Sequence, residues 1–252
     1  MNGTKSHMCA RHATAAAASF ALAGLMVACG GGPGQPAELR SGWPGPSASS
    51  SPHESGLIVF DGDSLTEGYL LTPAQSYPTQ AMKQLPGWLE SVNFGIAGQT
   101  WQDLLRDVRH EVDPLYSASR RLNLVVAWAA ANDLAAGYGA QETYENARRY
   151  CEARRRVGFT VCTATMYPLQ PKDVDVRFEA RRVAYNDLLR VHWHEFADVL
   201  VDLAADERLG DPSGSARRQY FIDAVHLNEA GYGVIADCVV QTLRPIVEHA
   251  AP

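Results

Sequence analysis

The sequence predicts an α/β protein in which helices cover both faces of a parallel β-sheet. From Leu57 onward, short apolar runs alternate with longer amphipathic stretches, and Gly- or Asn-rich turns separate them. The apolar runs are too short and too rich in β-branched residues to be helices, so they are typical of buried strands. Strands that alternate with helices in this way form a parallel sheet, because each return crossing is made by a helix.

Five segments have the character of strands. Leu57–Phe60 is the first along the chain, and Leu122–Trp128 is the clearest because it is almost wholly apolar. The other three are Trp88–Asn93, Phe159–Met166 and Val199–Val201. In parallel sheets of this kind, functional residues lie on the loops at the carboxyl ends of the strands.

Helices are predicted between and after these strands. Thr72 and Pro73 begin the first, with threonine as the N-cap and proline at the first helical position. Thr100 and Asp103 form a capping box over a second helix that runs to about Val112. Three longer helices are predicted over Thr143–Arg156, Arg177–Phe196 and Asn228–Val247.

Composition excludes several classes of function. The chain has 252 residues, of which 46% are hydrophobic and 20% charged, as in ordinary globular proteins. Its net charge of −6 argues against nucleic acid or anionic lipid as a partner, because both require a basic surface. The five cysteines are scattered, so a disulfide framework or a zinc site is not expected, although Cys151 and Cys162 could pair in an oxidising compartment.

The N-terminal region has the pattern of an export signal. Residues 1–28 combine a basic start with a short apolar run from Ala13, which is too short to span a membrane comfortably. The run ends in Leu25–Cys29, which resembles the lipobox of bacterial lipoproteins, in which the cysteine is lipidated. Residues 29–56 are rich in Gly, Pro and Ser and are predicted to be a flexible tether before a domain at 57–252.

These segments predict a location. We expect a bacterial cell-envelope protein, periplasmic or extracellular, whose only membrane contact is a lipid on Cys29. A plain secretory signal with an incidental cysteine, and hence a freely secreted protein, is the alternative.

Four polar loops carry the residues with chemical potential. Three of them follow the first three predicted strands, and the fourth immediately precedes the last helix. In chain order, the loops are Phe60-Asp61-Gly62-Asp63-Ser64-Leu65-Thr66, Asn93 to Thr100, Ala130-Ala131-Asn132-Asp133 and Asp223-Ala224-Val225-His226.

These loops together resemble a known enzyme family. Gly62-Asp63-Ser64-Leu65 resembles block I of the SGNH (GDSL) hydrolases, and the later loops resemble blocks II, III and V in the same order. The resemblance covers about residues 57–245. It implies a flavodoxin-like α/β/α sandwich with five parallel strands, which hydrolyses esters or thioesters without a cofactor.

The resemblance also implies a role for each site residue. Ser64 would be the nucleophile, His226 the general base and Asp223 the carboxylate that orients the imidazole. A serine hydroxyl needs such a base, and imidazole titrates near the working pH. The Ser64 and Gly98 backbone N–H groups and the Asn132 side-chain amide would hold the oxyanion. Gly98 suits this role because a backbone without a side chain can approach the substrate closely.

Two positions depart from the family pattern. Ala130 stands where block III normally has glycine, and Leu227 stands where proline often follows the histidine, which we expect to be harmless. If the glycine position requires a positive φ, alanine would strain the loop and could misplace Asn132. We expect Asn132 to be in place nonetheless, because Ala130 and Ala131 suggest a loop packed around small side chains.

Two other functions compete with the esterase. Asp61 and Asp63 after an apolar strand also resemble the first motif of haloacid-dehalogenase-type phosphatases, in which Asp61 would be the nucleophile and Mg²⁺ would be required. That family also needs a lysine and a late acidic pair, yet Lys172 is the only lysine after Lys83. The third possibility is a catalytically degenerate envelope binding lipoprotein, which only Ala130 supports.

The other residues near the loops, and the substrate, are predicted as follows. Asp63 and Asp133 are expected to brace their loops as hydrogen-bond acceptors rather than to act as catalysts. The substrate could be a small-molecule ester, a lipid or an acylated carbohydrate, and the oligomeric state is not specified. Four aromatic residues near the loops could line an acyl pocket or pack in the core: Tyr69, Tyr77, Trp101 and Tyr138.

Overall fold

The structure, a computed structural model, describes residues 55–169, 175–210 and 219–252. The predicted signal, the lipidation site Cys29 and nearly all of the predicted tether lie outside the described residues. A five-stranded, all-parallel sheet forms the centre, in the order β2-β1-β3-β4-β5. The strands are β1 Gly56–Gly62, β2 Leu89–Asn93, β3 Leu122–Trp128, β4 Thr160–Ala164 and β5 Val199–Val201.

The strand order creates a switch point beside β1. From β1 the chain moves outward to β2, and it then returns past β1 to β3 on the other side. This is the flavodoxin-like doubly wound order, in which ligands bind at the carboxyl edge where the winding reverses. The predicted fold class is therefore confirmed.

The helices fall into two groups. They are α1 Ser64–Glu67, α2 Tyr77–Met82, α3 Trp101–Glu111, α4 Ala131–Ala135, α5 Ala140–Val157, α6 Phe178–Phe196, α7 Glu207–Gly210 and α8 Glu229–His249. Helix α2 packs against α8, whereas α5 packs against both α3 and α6. The β1–β2 crossover and the later crossovers run in opposite directions across the sheet, so right-handed connections place the two groups on opposite faces. Within the described residues, no helix is both long and apolar enough to cross a membrane.

The core lies along the two central strands. Every residue of β1 and β3 is buried, as expected for strands that are covered on both faces. The limits of β3 and β5 match those predicted, while β4 is shorter than the predicted Phe159–Met166, although both of those end residues are buried. Cys151 and Cys162 are buried free thiols, so the structure contains no disulfide between them.

One predicted helix start is partly wrong. Thr72 and Pro73 begin a single 3-10 turn, Pro73–Gln75, and α2 starts only at Tyr77. Pro78 explains the break, because in a helix running from Pro73 its ring would clash with the carbonyl of Ala74. By contrast, the capping box predicted at Thr100 is present, and Asn228, the predicted start of the last helix, is its N-cap. The short helices α1 and α4, which begin at the site loops, were not predicted.

Candidate active site

Ser64 is positioned by a helix start at the end of β1. It is the first residue of α1, and the preceding Asp63 caps the helix by accepting the Leu65 N–H at 2.9 Å. The first N–H groups of a helix have no acceptor within the helix, so the Ser64 N–H points out of its end. Ser64 itself is largely buried, with 9% of its surface exposed.

Three predicted residues form one chain of hydrogen bonds. Ser64 Oγ lies 3.1 Å from His226 Nε2, and His226 Nδ1 lies 2.9 Å from Asp223 Oδ2. With the Nδ1 proton directed at the carboxylate, Nε2 can accept the proton of the serine hydroxyl. The structure thus brings together residues that are 162 positions apart in the chain.

The local turn keeps Asp223 in its charged form. Asp223 Oδ1 accepts the N–H groups of Val225 at 2.7 Å and His226 at 2.6 Å. Partial burial acts in the opposite direction, but these bonds and the His226 ring hold the pKa of Asp223 below its ordinary value. An ionised Asp223 would stabilise the imidazolium that forms when His226 takes a proton.

The histidine loop is anchored from both sides. The Ile222 N–H donates to the His226 carbonyl at 2.9 Å, within a short antiparallel bridge between Phe221 and Leu227. From the end of β4, the Tyr167 hydroxyl donates to the Val225 carbonyl at 3.1 Å. Leu227 is fully buried in this arrangement.

The loop after β2 lies directly against the Ser64 turn. The Ile96 N–H donates to the Gly62 carbonyl at 3.1 Å, and the Ala97 N–H donates to Glu67 Oε2 at 2.8 Å. Gly95 allows this approach, because a Cβ there would lie 2.2 Å from the Glu67 nitrogen. Gly98 follows with a φ of +87° and is exposed, so its backbone is accessible at the site.

Asn132 is tied to the same loop. Its Nδ2 donates to the Gln99 carbonyl at 2.8 Å, directly after Gly98. A side-chain amide nitrogen carries two hydrogens, so the second can donate to a bound substrate. The oxyanion-hole candidates Gly98 and Asn132 are therefore held next to each other, and the Ile96–Gly62 bond links their loop to Ser64.

The alanine at the glycine position does adopt a strained backbone. Ala130 has a φ of +117°, in the region that glycine favours, and its side chain is fully buried. It precedes α4 without any side-chain cap. The condition for strain, a positive φ, is thus met at this position, yet Asn132 donates to the Gln99 carbonyl.

Two carboxylates in the first loop are buried away from solvent. Asp61 is 3% exposed and accepts a hydrogen bond from the Tyr150 hydroxyl, and Asp63 is fully buried. Burial raises the pKa of both carboxyl groups to about 7. This burial and the bond to Tyr150 argue against Asp61 as a phosphatase nucleophile.

Of the four aromatic residues near the site, two lie in the core, whereas Tyr69 is exposed and Tyr138 is half-buried. Tyr77 and Trp101 are fully buried in the core, whereas Tyr69 is 39% exposed and its ring lies 4.9 Å from the His226 ring. Tyr69 is therefore the one whose ring packs on a candidate catalytic side chain.

Glu67 and Tyr150 were not identified from the sequence, because helical periodicity predicts burial but not a hydrogen-bond partner.

Comparison with known proteins gives a consistent result. The model of the GDSL-like lipase/acylhydrolase family matches residues 60–234. A lipolytic protein of the G-D-S-L family from Veillonella parvula is similar at 18% identity, with 74% of this chain and 97% of that chain covered and a TM-score of 0.61. No curated protein matches the sequence.

Two further solved structures share the fold at low identity. A mutant of an acetyl-xylooligosaccharide esterase from Geobacillus Stearmophilus is 18% identical, covers 77% and 96% of the two chains and has a TM-score of 0.60. Esterase EstA from Pseudoalteromonas, inhibited by monoethylphosphonate, is 14% identical, with 77% and 100% coverage and a TM-score of 0.58. The family match spans the site loops and most of the described fold, so the chain belongs to the GDSL-like lipase/acylhydrolase family and is a hydrolase of ester bonds.

Proposed function

We propose that the chain is a serine esterase that works through an acyl-enzyme, with Ser64 as the nucleophile. The observation that carries this proposal is the hydrogen-bonded chain from Ser64 Oγ to His226 Nε2 and from His226 Nδ1 to Asp223. Distances of 3.1 and 2.9 Å are within the reach required of a nucleophile, its base and the group that orients the base.

In the first half of the reaction, Ser64 Oγ attacks the carbonyl carbon of the ester while His226 Nε2 takes the hydroxyl proton. The carbonyl oxygen becomes an oxyanion, which accepts hydrogen bonds from the Ser64 N–H, the Gly98 N–H and the Asn132 amide. The tetrahedral intermediate collapses, and the alcohol leaves with the proton that His226 returns. The acyl group remains attached to Ser64 Oγ.

In the second half, water repeats the attack. His226 removes a proton from a water molecule, whose oxygen adds to the acyl carbon, and the same donors hold the new oxyanion. Collapse returns the proton to Ser64 Oγ and releases the carboxylic acid. Asp223 keeps the imidazole in the tautomer that both halves require.

The proposed substrate is a carboxylic ester or thioester with an acyl group that reaches Ser64 from solvent. The similar structures include an acetyl-xylooligosaccharide esterase and an acetyl xylan esterase, so short acyl esters of carbohydrates are the first substrates to assay. A series of p-nitrophenyl esters of increasing acyl length would define the preferred acyl group.

Covalent labelling tests the nucleophile directly. A fluorophosphonate probe should label Ser64, and Ser64→Ala should lose both labelling and ester hydrolysis. Ser119→Ala is a matched control, because Ser119 bonds to Ser117 near the amino end of β3, away from the site. Labelling at another residue would contradict the proposal, and so would an ester hydrolysis that EDTA abolishes.

We also propose that Cys29 carries a lipid that anchors the enzyme in the cell envelope. The lipobox-like segment and the Gly/Pro/Ser-rich stretch after it support this proposal. Cys29→Ser should convert a detergent-extractable membrane protein into a soluble secreted one. A wild-type protein that is already soluble and begins at another residue would contradict it.

A further inference from the structure

Two consecutive residues of α4 form hydrogen bonds to the loop that carries Gly98. Asn132 Nδ2 donates to the Gln99 carbonyl at 2.8 Å, and Asp133 Oδ2 accepts the Trp101 N–H at 3.1 Å. These two bonds flank Thr100. One is to Gln99, the residue directly after Gly98, and the other is to Trp101, the first residue of α3. The path of the Gly98 backbone is therefore set from α4 and not only by its own turn.

Asp133 satisfies a donor that would otherwise be unpaired. Trp101 is the first residue of α3, where N–H groups have no acceptor within the helix. The Thr100 side chain caps the Asp103 N–H, so Asp133 supplies the acceptor for Trp101. Trp101 is fully buried, and a buried N–H without an acceptor is costly, so loss of Asp133 would make this segment move.

The Asp133 carboxyl group is buried, which disfavours its charged form. Asp133 is fully buried, and its other oxygen, Oδ1, has no hydrogen-bond partner among the described residues. Asp63, beside Ser64, is also fully buried, with Oδ2 unpartnered within the same described part. Burial raises the pKa of Asp133 to about 6, and the charge of Asp133 adds to the larger effect of burial on the pKa of Asp63.

The two carboxyl groups have matching positions. Asp63 precedes the proposed nucleophile Ser64 and caps its helix, whereas Asp133 follows the proposed oxyanion donor Asn132 and accepts the first N–H of α3, the helix that follows Gly98. We propose that Asp133 is a positioning residue, which acts through the Trp101 N–H to hold the Gly98 N–H and the Asn132 amide in register for the oxyanion. This inference rests on the esterase function proposed above.

Substitutions at Asp133 separate positioning from simple stabilisation. Asp133→Ala removes the acceptor and should lower kcat roughly 10- to 100-fold with little change in KM, because displaced donors affect the transition state more than substrate binding. Asp133→Asn keeps an oxygen that accepts the same N–H, so its kcat should stay within about threefold of wild type. Fluorophosphonate titration of Ser64 gives the concentration of competent sites, to which each kcat is normalised.

The matched control is Asp198→Ala. Asp198 also accepts a backbone N–H, that of Val161 at 2.8 Å, but it does so near the amino ends of β4 and β5. Its loss should lower stability and leave kcat per labelled site unchanged. If Asp133→Ala does not fold, Asp133→Ser, which retains a shorter polar group, should show a smaller fall in kcat.

The outcomes are distinguishable. Wild-type kcat per labelled site in the folded Ala or Ser variant would overturn the positioning role while the esterase proposal stands. An Asn variant as slow as Ala would overturn it too, because the charge and not the hydrogen bond would then matter. A wild-type protein that is neither labelled nor active would overturn the proposed function, and this inference with it.

Discussion

The loops after β1 and β3 each place a proposed catalytic group at the start of a short helix, but different contacts stabilise the two loops. Each begins a short helix where a buried strand ends, and each presents a proposed catalytic group within its first two residues. In the first loop, Asp63 has a φ of −96°, and its side chain caps α1 at the Leu65 N–H. In the third loop, Ala130 has a φ of +117° and provides no side-chain cap for α4.

The difference lies in where the stabilising contacts come from. The turn at Ser64 is closed mainly by bonds among neighbours in sequence, such as Thr66 and Glu67 N–H to the Asp63 carbonyl. In the third loop the Leu134 N–H likewise donates to the Ala130 carbonyl, but the Asn132 and Asp133 side chains bond to Gln99 and Trp101, 33 and 32 residues earlier in the chain. The nucleophile is thus placed by local structure, and the oxyanion amide is placed by packing between loops.

After the loss of activity expected for Ser64→Ala, the largest effect is expected at the third loop. Asn132→Ala should lower kcat by roughly 10²–10³ with KM nearly unchanged, as removal of one oxyanion donor does in other enzymes. Steady-state kinetics on folded protein would measure both constants.

Asn123→Ala is the control for this change. Asn123 lies at the other end of β3, and its Nδ2 also donates to a backbone carbonyl, that of Ser117 at 2.8 Å. It should lose stability without losing kcat. A fall of less than about threefold for Asn132→Ala would show that the third loop contributes no oxyanion donor.

The first loop should dominate the pH dependence of stability. Burial raises the pKa of Asp61 and Asp63 to about 7, whereas carboxyl groups in the unfolded chain titrate near about 4. Between these values the folded protein binds more protons than the unfolded chain. The free energy of unfolding should therefore fall as pH rises from about 4 to about 7, by an amount on the order of a few kcal/mol.

Asp61→Asn should flatten that slope, measured by urea denaturation at several pH values. The amide oxygen can still accept the Tyr150 hydroxyl, so the variant should fold and keep its esterase activity. Asp206→Asn is the control: its hydrogen bonds with Arg208 lower the pKa of Asp206, so its contribution is lost only at lower pH. An unchanged slope in Asp61→Asn would mean that Asp61 is ionised in the folded protein throughout this range.

The smallest effect is expected from relieving strain in the third loop. Ala130→Gly should raise the free energy of unfolding by about 1 kcal/mol, since glycine removes roughly 1–3 kcal/mol of backbone strain and adds back part of it as chain entropy. Its kcat should stay unchanged, because Asn132 already bonds to Gln99.

Ala129→Gly provides the comparison for Ala130→Gly. Ala129 is also fully buried but has no positive φ, so glycine there should only destabilise the protein. If Ala130→Gly raised kcat severalfold, alanine would be tilting Asn132 away from the substrate, and the third loop would be weaker than its hydrogen bond suggests.

Sequence patterns anticipated the regular parts of this fold well. Strand β3 and the capping box over α3 depend on burial and on neighbours three residues apart, and both are present as predicted. The break before α2 was missed because two sequence signals compete. Thr72 favours a helix start at that position, whereas Pro78 prevents that helix from continuing, and only the packed chain decides between the two. The partners of Asp61 and Asp133 were missed for a different reason, since they lie on other elements.

The sequence by itself determined the alternation of strands and helices, the order of the four site loops and the residues able to act as nucleophile, base and oxyanion donors. Those properties depend on residue type and short-range spacing, which are written along the chain. Only the tertiary structure brought His226 to Ser64, confirmed a positive φ at Ala130 and placed the Asp133 carboxylate on the Trp101 N–H. These contacts join segments that are distant in sequence, and their geometry is set by how the sheet and its loops pack together.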